Sequence, residues 1–180
     1  MKIGLFFGSF NPIHNGHLAI ANYMIENGNI DRLWFVVSPQ NPFKDKEVLI
    51  DDQLRLEMVN LAICGEDRFL ACDVEFNLPQ PSYSINTLNC LKEKYPDVEF
   101  LIIMGSDNVI HLKKWKDYQQ IVSEYRFLVY PRPAFGIKSL DLIGNFTLID
   151  APLMEISSTS IRKAITEKHD IDQFLPAAVF

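Results

Sequence analysis

The chain has 180 residues, 48% hydrophobic and 22% charged, the proportions of a globular protein and not of a disordered one. At the size of one domain it can bury roughly 70% of the surface its unfolded form exposes. A formal net charge of -6 excludes a broad basic field for nucleic acid or anionic lipid, so any bound phosphate must be held by a few placed groups.

The first apolar run, Ile3 to Phe7, is short, continuous and without alternation. That pattern predicts a strand covered on both faces, as in a parallel sheet. Helical spacing follows from His17 to Asn27, with Gly28 expected as a left-handed cap. Leu33 to Val37 reads as the second strand. Asp51 to Cys64 then reads as a helix with Leu54, Met58, Leu61 and Ala62 on its apolar face and Gly65 at its end. Another helix, Ser84 to Tyr95, begins after a Pro-Ser pair and stops before Pro96. Phe100 to Met104 is the next strand, and Asn108 to Val122 a helix broken near Lys116. Phe127 to Tyr130 is a further strand, Phe146 to Ile149 a weaker one, and Ser158 to Lys168 the last helix. Pro131 to Asn145, with its prolines and glycines, is expected as a long irregular connection. In the tail, Phe174, Leu175 and Phe180 are expected to pack.

Strand and helix alternating along one length predict a doubly wound, mainly parallel α/β sandwich, one domain over residues 1–180. Cys64, Cys72 and Cys90 are odd in number and lack C-x-x-C spacing. They predict neither a disulfide framework nor a cysteine metal site, but a reducing cytoplasm and small buried hydrophobes. No apolar run approaches the roughly 18 residues of a membrane span. Met1 to Phe7 enters structure too soon for a signal peptide, so a soluble cytoplasmic chain is expected. No exposed apolar stripe marks an interface, which leaves a homo-oligomer open.

Open α/β sheets bind ligands at the carboxyl ends of their strands, near the switch in strand order. Four polar clusters fall there: Gly8 to His17, Ser38 to Lys44, Gly105 to Asn108 and Pro131 to Pro133. In the first, Gly8 lets the backbone approach a ligand closely. Gly16 and His17 open a helix whose free N–H groups and positive dipole end suit a phosphate. His14 and His17 can flank that phosphate chain, though two histidines at this spacing would also serve a zinc site or a cap and a surface position. Near the other end of the chain, Ser157, Ser158 and Thr159 stand at a helix start, where they can cap it or donate to phosphate. Arg162, on the same face, can offer paired donors to phosphate oxygens. Trp115 stands among Lys113, Lys114 and Lys116, where an amphipathic ring is better suited to stacking on a heterocycle than to a core.

Gly8-x-Phe10-x-Pro12-x-His14-x-Gly16-His17 resembles the signature of the nucleotidyltransferases that carry an H-x-G-H motif, and Ile156 to Arg162 resembles their second signature, I-S-S-T-x-I-R. Between the two, the chain is similar over nearly its whole length to the nicotinate mononucleotide adenylyltransferases. The similarity runs through Pro39-x-x-Pro42-x-Lys44, Pro81-Ser82-Tyr83, Gly105-x-Asp107, Leu112, Trp115 and Arg132-Pro133. The resemblance implies adenylyl transfer from ATP, with Mg²⁺ carried on the nucleotide, to a pyridine mononucleotide. It implies His14, His17 and Arg162 as catalytic groups. It places ATP on Gly8, Ser9, Phe10, Gly16, Gly105, Asp107, Arg132, Ser157, Ser158 and Thr159. The mononucleotide falls to Asn11, Lys44, Pro81, Ser82, Tyr83, Ser84 and Trp115, Lys46 being a nearby substitute for Lys44. Ser84 departs from the family pattern, which has threonine there. Nicotinamide mononucleotide and phosphopantetheine stay open as alternative acceptors, and so does a non-catalytic nucleotide-binding regulator.

Overall fold

The computed structural model describes residues 1–40, 49–133 and 145–180. Its six strands are β1 (Lys2–Gly8), β2 (Arg32–Val37), β3 (Phe69–Cys72), β4 (Glu99–Gly105), β5 (Arg126–Tyr130) and β6 (Phe146–Leu148). They form one sheet in the order β3-β2-β1-β4-β5-β6, every neighbouring pair parallel. The helices are α1 (Asn15–Asn27), α2 (Asp52–Ala62), α3 (Ser84–Lys94), α4 (Ser106–His111), α5 (Tyr118–Glu124) and α6 (Ser158–Thr166), with short 3-10 turns at Val74–Asn77 and Leu112–Lys114. This is the doubly wound α/β arrangement expected from the sequence.

Successive strand residues point to opposite faces, so the continuous apolar runs supply two cores. Phe6, Phe35 and Ile103 join Ile20 and Met24 of α1 on one face. Leu5, Val36 and Ile102 join Leu88 and Leu91 of α3 on the other. β3 is the one strand the sequence reading does not anticipate: its apolar run is only four residues long, at the edge of the sheet, with Leu70 exposed. Trp115 to Asp117 interrupts the expected long helix, close to the break anticipated at Lys116.

Several local expectations are corrected. Gly28 is right-handed, with φ -88, and Asn29 takes the left-handed conformation, with φ 52. Glycine is required at 28 for space, because a Cβ there would lie 2.6 Å from the Met24 carbonyl oxygen and 2.8 Å from Leu128. The buried side of α2 is Arg55 and Val59, not Leu54 and Leu61, which are exposed. Cys64 is exposed and Cys90 half-buried, leaving only Cys72 as a buried hydrophobe. In the tail Leu175 is buried but Phe180 is exposed. The tail's tie is polar instead: Asn15 at the start of α1 donates its N–H to the Phe174 carbonyl at 2.9 Å and its amide to that of Gln173 at 3.0 Å.

Strand order reverses at β1, which pairs β2 on one side and β4 on the other. Among the described residues, no helix is long and apolar enough to cross a membrane.

Candidate active site

Two adjoining cavities open at the carboxyl ends of β1 and β4, the position expected for a ligand in such a sheet. They share a wall of Phe6, Phe7, Gly8, Asn108 and Tyr130.

The larger, about 500 Å³, lies over the starts of α1 and α6. Bordering it are Gly8, Ser9, Phe10, Asn11, His14, Gly16 and His17 from the first cluster, Asp107 and Arg132, and Ser157, Ser158, Thr159 and Arg162 from the end of the chain. Arg162 reaches the first loop directly: its Nη1 donates to the Asn11 carbonyl at 2.8 Å. Ser158 Oγ donates to the Pro12 carbonyl at 2.8 Å. These two bonds hold the start of α6 against the loop that precedes α1. Ser157 is the N-cap of α6, accepting from the Ser160 N–H at 3.1 Å, and Thr159 Oγ1 accepts from Arg162 at 3.3 Å. The side chains of Ser157 and Ser158 are thus engaged within the protein. What α6 turns toward the cleft is its N-terminal dipole and unbonded first-turn N–H groups.

His14 and His17 stack face to face, ring centroids 3.7 Å apart. His17 Nδ1 accepts from the backbone N–H of His14 at 3.2 Å, so the proton of a neutral His17 ring resides on Nε2. His14 is 4% exposed and its Nδ1 has no hydrogen-bond partner. Burial, reinforced by the Arg132 guanidinium, lowers its pKa to about 4, so in the free protein this imidazole is neutral at pH 7. A Cβ at Gly16 would sit 2.9 Å from His14 Nδ1, so the glycine makes room for the ring. Phe10 carries a left-handed φ of 46, an outlier for a bulky residue of the kind that clusters at binding sites. Its ring fills the space under Gly8 and meets His17 edge-on.

Asp107 is the second residue of α4, not its N-cap, which is Gly105. Gly105 lies beneath the site: a side chain there would collide with Asp107 Oδ1 and meet Arg132 Cγ at 2.8 Å. Arg132 donates its backbone N–H to Ser106 Oγ at 2.9 Å, and its Nε lies 3.9 Å from Asp107 Oδ2. Among the described residues Asp107 Oδ1 has no hydrogen-bond partner and is a ready acceptor.

The smaller cavity, about 380 Å³, is bordered by Ser82, Tyr83, Ser84 and Trp115, with His111, Lys114 and Lys116 beside them. α3 starts here, capped by the extended Tyr83. Lys116 Nζ lies 5.1 Å from the centre of the Tyr83 ring. Pro81 precedes this wall without bordering the cavity. Asn11, expected with the mononucleotide, borders the larger cavity instead, its Oδ1 accepting from the Ile50 N–H at 3.1 Å. Lys44 and Lys46 lie outside the described residues.

Two buried charged residues are missed by the sequence reading. Glu75 is 1% exposed and borders the smaller cavity. One of its oxygens accepts from Thr87 Oγ1 at 2.7 Å, the other has no hydrogen-bond partner among the described residues, and burial raises its pKa against the pull of the Thr87, Ser38 and Ser82 hydroxyls. Nothing in Asp73-Val74-Glu75 announces burial. Arg55 could have been found, because it shares a helical face with Val59 and Ile63 at i+4 and i+8.

A model of the cytidylyltransferase-like family matches residues 5–164. The chain belongs to the cytidylyltransferase-like family. Within it, a Bacteroides fragilis protein named "Probable nicotinate-nucleotide adenylyltransferase" is 51% identical over 179 residues, 99% of this chain and 89% of that one. A Flavobacterium johnsoniae protein of the same name is 49% identical over 182 residues, 100% of this chain and 94% of that one. The cytidylyltransferase-like fold is shared by the Plasmodium falciparum nicotinic acid mononucleotide adenylyltransferase complexed with NaAD. That structure has a TM-score of 0.80 and 24% identity, over 99% of this chain and 92% of that one. Full-length identity near one half places this member of the family among the nicotinate-nucleotide adenylyltransferases, which are nucleotidyltransferases.

Proposed function

We propose that this chain, as a single-domain cytoplasmic enzyme, transfers the adenylyl group of ATP to nicotinate mononucleotide. The products are nicotinate adenine dinucleotide and pyrophosphate, a step of NAD biosynthesis. The observation that carries the reading is the shared cleft: both imidazoles from one end of the chain and the Arg162 guanidinium from the other border one space beside a second, aromatic cavity. Relatives at about half identity carry this activity in their names, and a second Plasmodium structure of this fold, TM-score 0.76, is complexed with APC.

The larger cavity takes the triphosphate. A phosphate oxygen of the mononucleotide attacks the α-phosphorus in line, and the bond to the β,γ-pyrophosphate breaks as the new one forms. The attacking group is already an anion, so no activated protein nucleophile is required. Catalysis is positioning and charge stabilisation. His14 and His17 meet charge developing around the α-phosphate, while Arg162 and the amide end of α6 hold the leaving phosphates. Asp107 accepts from the ribose hydroxyls of the adenosine. Mg²⁺ carried with ATP would supply neutralisation of part of the leaving group's charge, beside Arg162 and the amide end of α6.

The smaller cavity takes the pyridine ring, stacked on Trp115. Its electrostatics favour a carboxylate over an amide: the N-terminal dipole of α3 points into it, and Lys114, Lys116 and His111 border it. Burial favours the neutral form of Glu75, the one acidic side chain at this wall among the described residues. Incubating the protein with ATP and each mononucleotide, and measuring dinucleotide and pyrophosphate together, tests the reading. Equimolar products, formed faster with nicotinate than with nicotinamide mononucleotide, are expected. Pyrophosphate without dinucleotide, or equal rates with the two acceptors, would contradict it.

A further inference from the structure

Arg55 is the largest side chain fully buried in the protein, 1% exposed, and forms none of the ion pairs found among the described residues. A buried cation is costly unless its donors are satisfied. Here they are satisfied by backbone. Nε donates to the Ile50 carbonyl at 2.9 Å, Nη1 to those of Ser9 at 2.6 Å and Ser38 at 2.8 Å, and Nη2 to that of Pro39 at 3.2 Å. Three separate segments converge on one planar group: the residue after β1, the residues after β2, and the approach to α2.

Two of those residues border the two cavities, Ser9 the larger and Ser38 the smaller. In a trans peptide the C=O and the following N–H point in opposite directions. Holding the Ser9 and Pro39 carbonyls toward Arg55 therefore turns the N–H groups of Phe10 and Gln40 away from it. The Gln40 carbonyl in turn accepts from the Ser82 N–H at 2.9 Å, tying the turn before α3 to the same framework.

We propose that Arg55 is a positioning residue for the transfer reaction, fixing the separation between the triphosphate cleft and the mononucleotide cavity. The inference rests on the two-substrate reading above. In-line attack needs the two phosphates within about 3–3.5 Å of each other, and a displacement of about 1 Å can cost on the order of a hundredfold in rate. The rigid fork of arginine can hold four carbonyls in one plane. An ammonium, with three donors on one point, cannot span them.

The test is Arg55→Lys, which keeps the charge and loses the fork. Its kcat and both KM values are measured per folded molecule at a temperature below its melting transition. If the variant does not fold alone, the assay is run in trimethylamine N-oxide, which drives the compact state, with wild type under the same conditions. The expected result is a kcat lowered at least thirtyfold with the KM for ATP within about threefold of wild type. That split is one that a loss of stability alone does not produce. A folded Arg55→Lys protein with kcat within threefold of wild type would overturn the proposal. Wild type runs in parallel, so a wild type that forms no dinucleotide sinks the two-substrate reading itself, separately from any result for the variant.

Discussion

The two cavities share a wall but are built differently. The triphosphate cleft is made of side chains from short runs at the two ends of the chain, locked by Arg162 on Asn11 and Ser158 on Pro12. The smaller cavity combines the start of α3, a helix break at Trp115, the side chains of His111, Lys114 and Lys116, and the buried carboxyl of Glu75. On the proposed reading the first takes a polyanion, which every such substrate offers, and the second has to tell one ring substituent from another, where fixed backbone dipoles have less freedom to readjust than long side chains. The proposed function thus assigns charge stabilisation and discrimination to two adjoining cavities at the end of β1, and perturbing each should move a different kinetic parameter.

The strongest way to break that division is His17→Ala. It removes a group facing the triphosphate and leaves the ring cavity untouched. By comparison with other preorganised donors, turnover should fall at least about a hundredfold. The fold should survive, since the variant loses one bond from the His14 N–H, worth about 1 kcal/mol. Circular dichroism with steady-state kinetics checks both. A folded variant of near-normal turnover would remove His17 from the chemistry.

On the other side, Trp115→Ala should raise the KM for the mononucleotide about tenfold, the worth of one aromatic stack, and leave the KM for ATP alone. Equal increases for both substrates would mean that the tryptophan supports the whole region and does not discriminate.

The same division governs what the sequence revealed. The triphosphate side is legible because its groups lie within runs of about ten residues, Gly8 to His17 and Ile156 to Arg162, where spacing against a helix start already fixes the geometry. Four strands were legible as continuous apolar runs, which follows from burial on both faces, whereas β3 was not, because Phe69–Cys72, though apolar throughout, is only four residues long and directly follows the charged Glu66-Asp67-Arg68. The framework under the site was hidden for a different reason. The helical face that Arg55 shares with Val59 and Ile63 is visible in the sequence, but its partners are carbonyls of residues 16, 17 and 46 positions away, and backbone acceptors leave no trace in residue identity. The apolar face of α2 was misassigned for the same cause: Leu54 and Leu61 suggested one stripe, while the buried one runs through a charged residue.

The smallest expected effect is protonic, and it separates the two sides without any loss of activity. Above pH 6.5 His14 is neutral whether the chain is folded or not. As pH falls from 6.5 toward 4, the unfolded chain takes up the proton and the folded one does not, so the stability due to this residue is lost across that window. The cause is burial first and Arg132 second, and a bound triphosphate opposes both by placing negative charge beside the ring. ATP binding should therefore draw a fraction of a proton onto His14 at pH 6 and almost none at pH 8. Calorimetry of ATP binding in buffers of different ionisation enthalpy measures that uptake, and the His14→Gln variant subtracts whatever the nucleotide itself contributes. Wild type should exceed the variant at pH 6 by less than one proton. An identical uptake by the two proteins would show that the triphosphate does not approach His14, and the larger cavity would then need a different ligand.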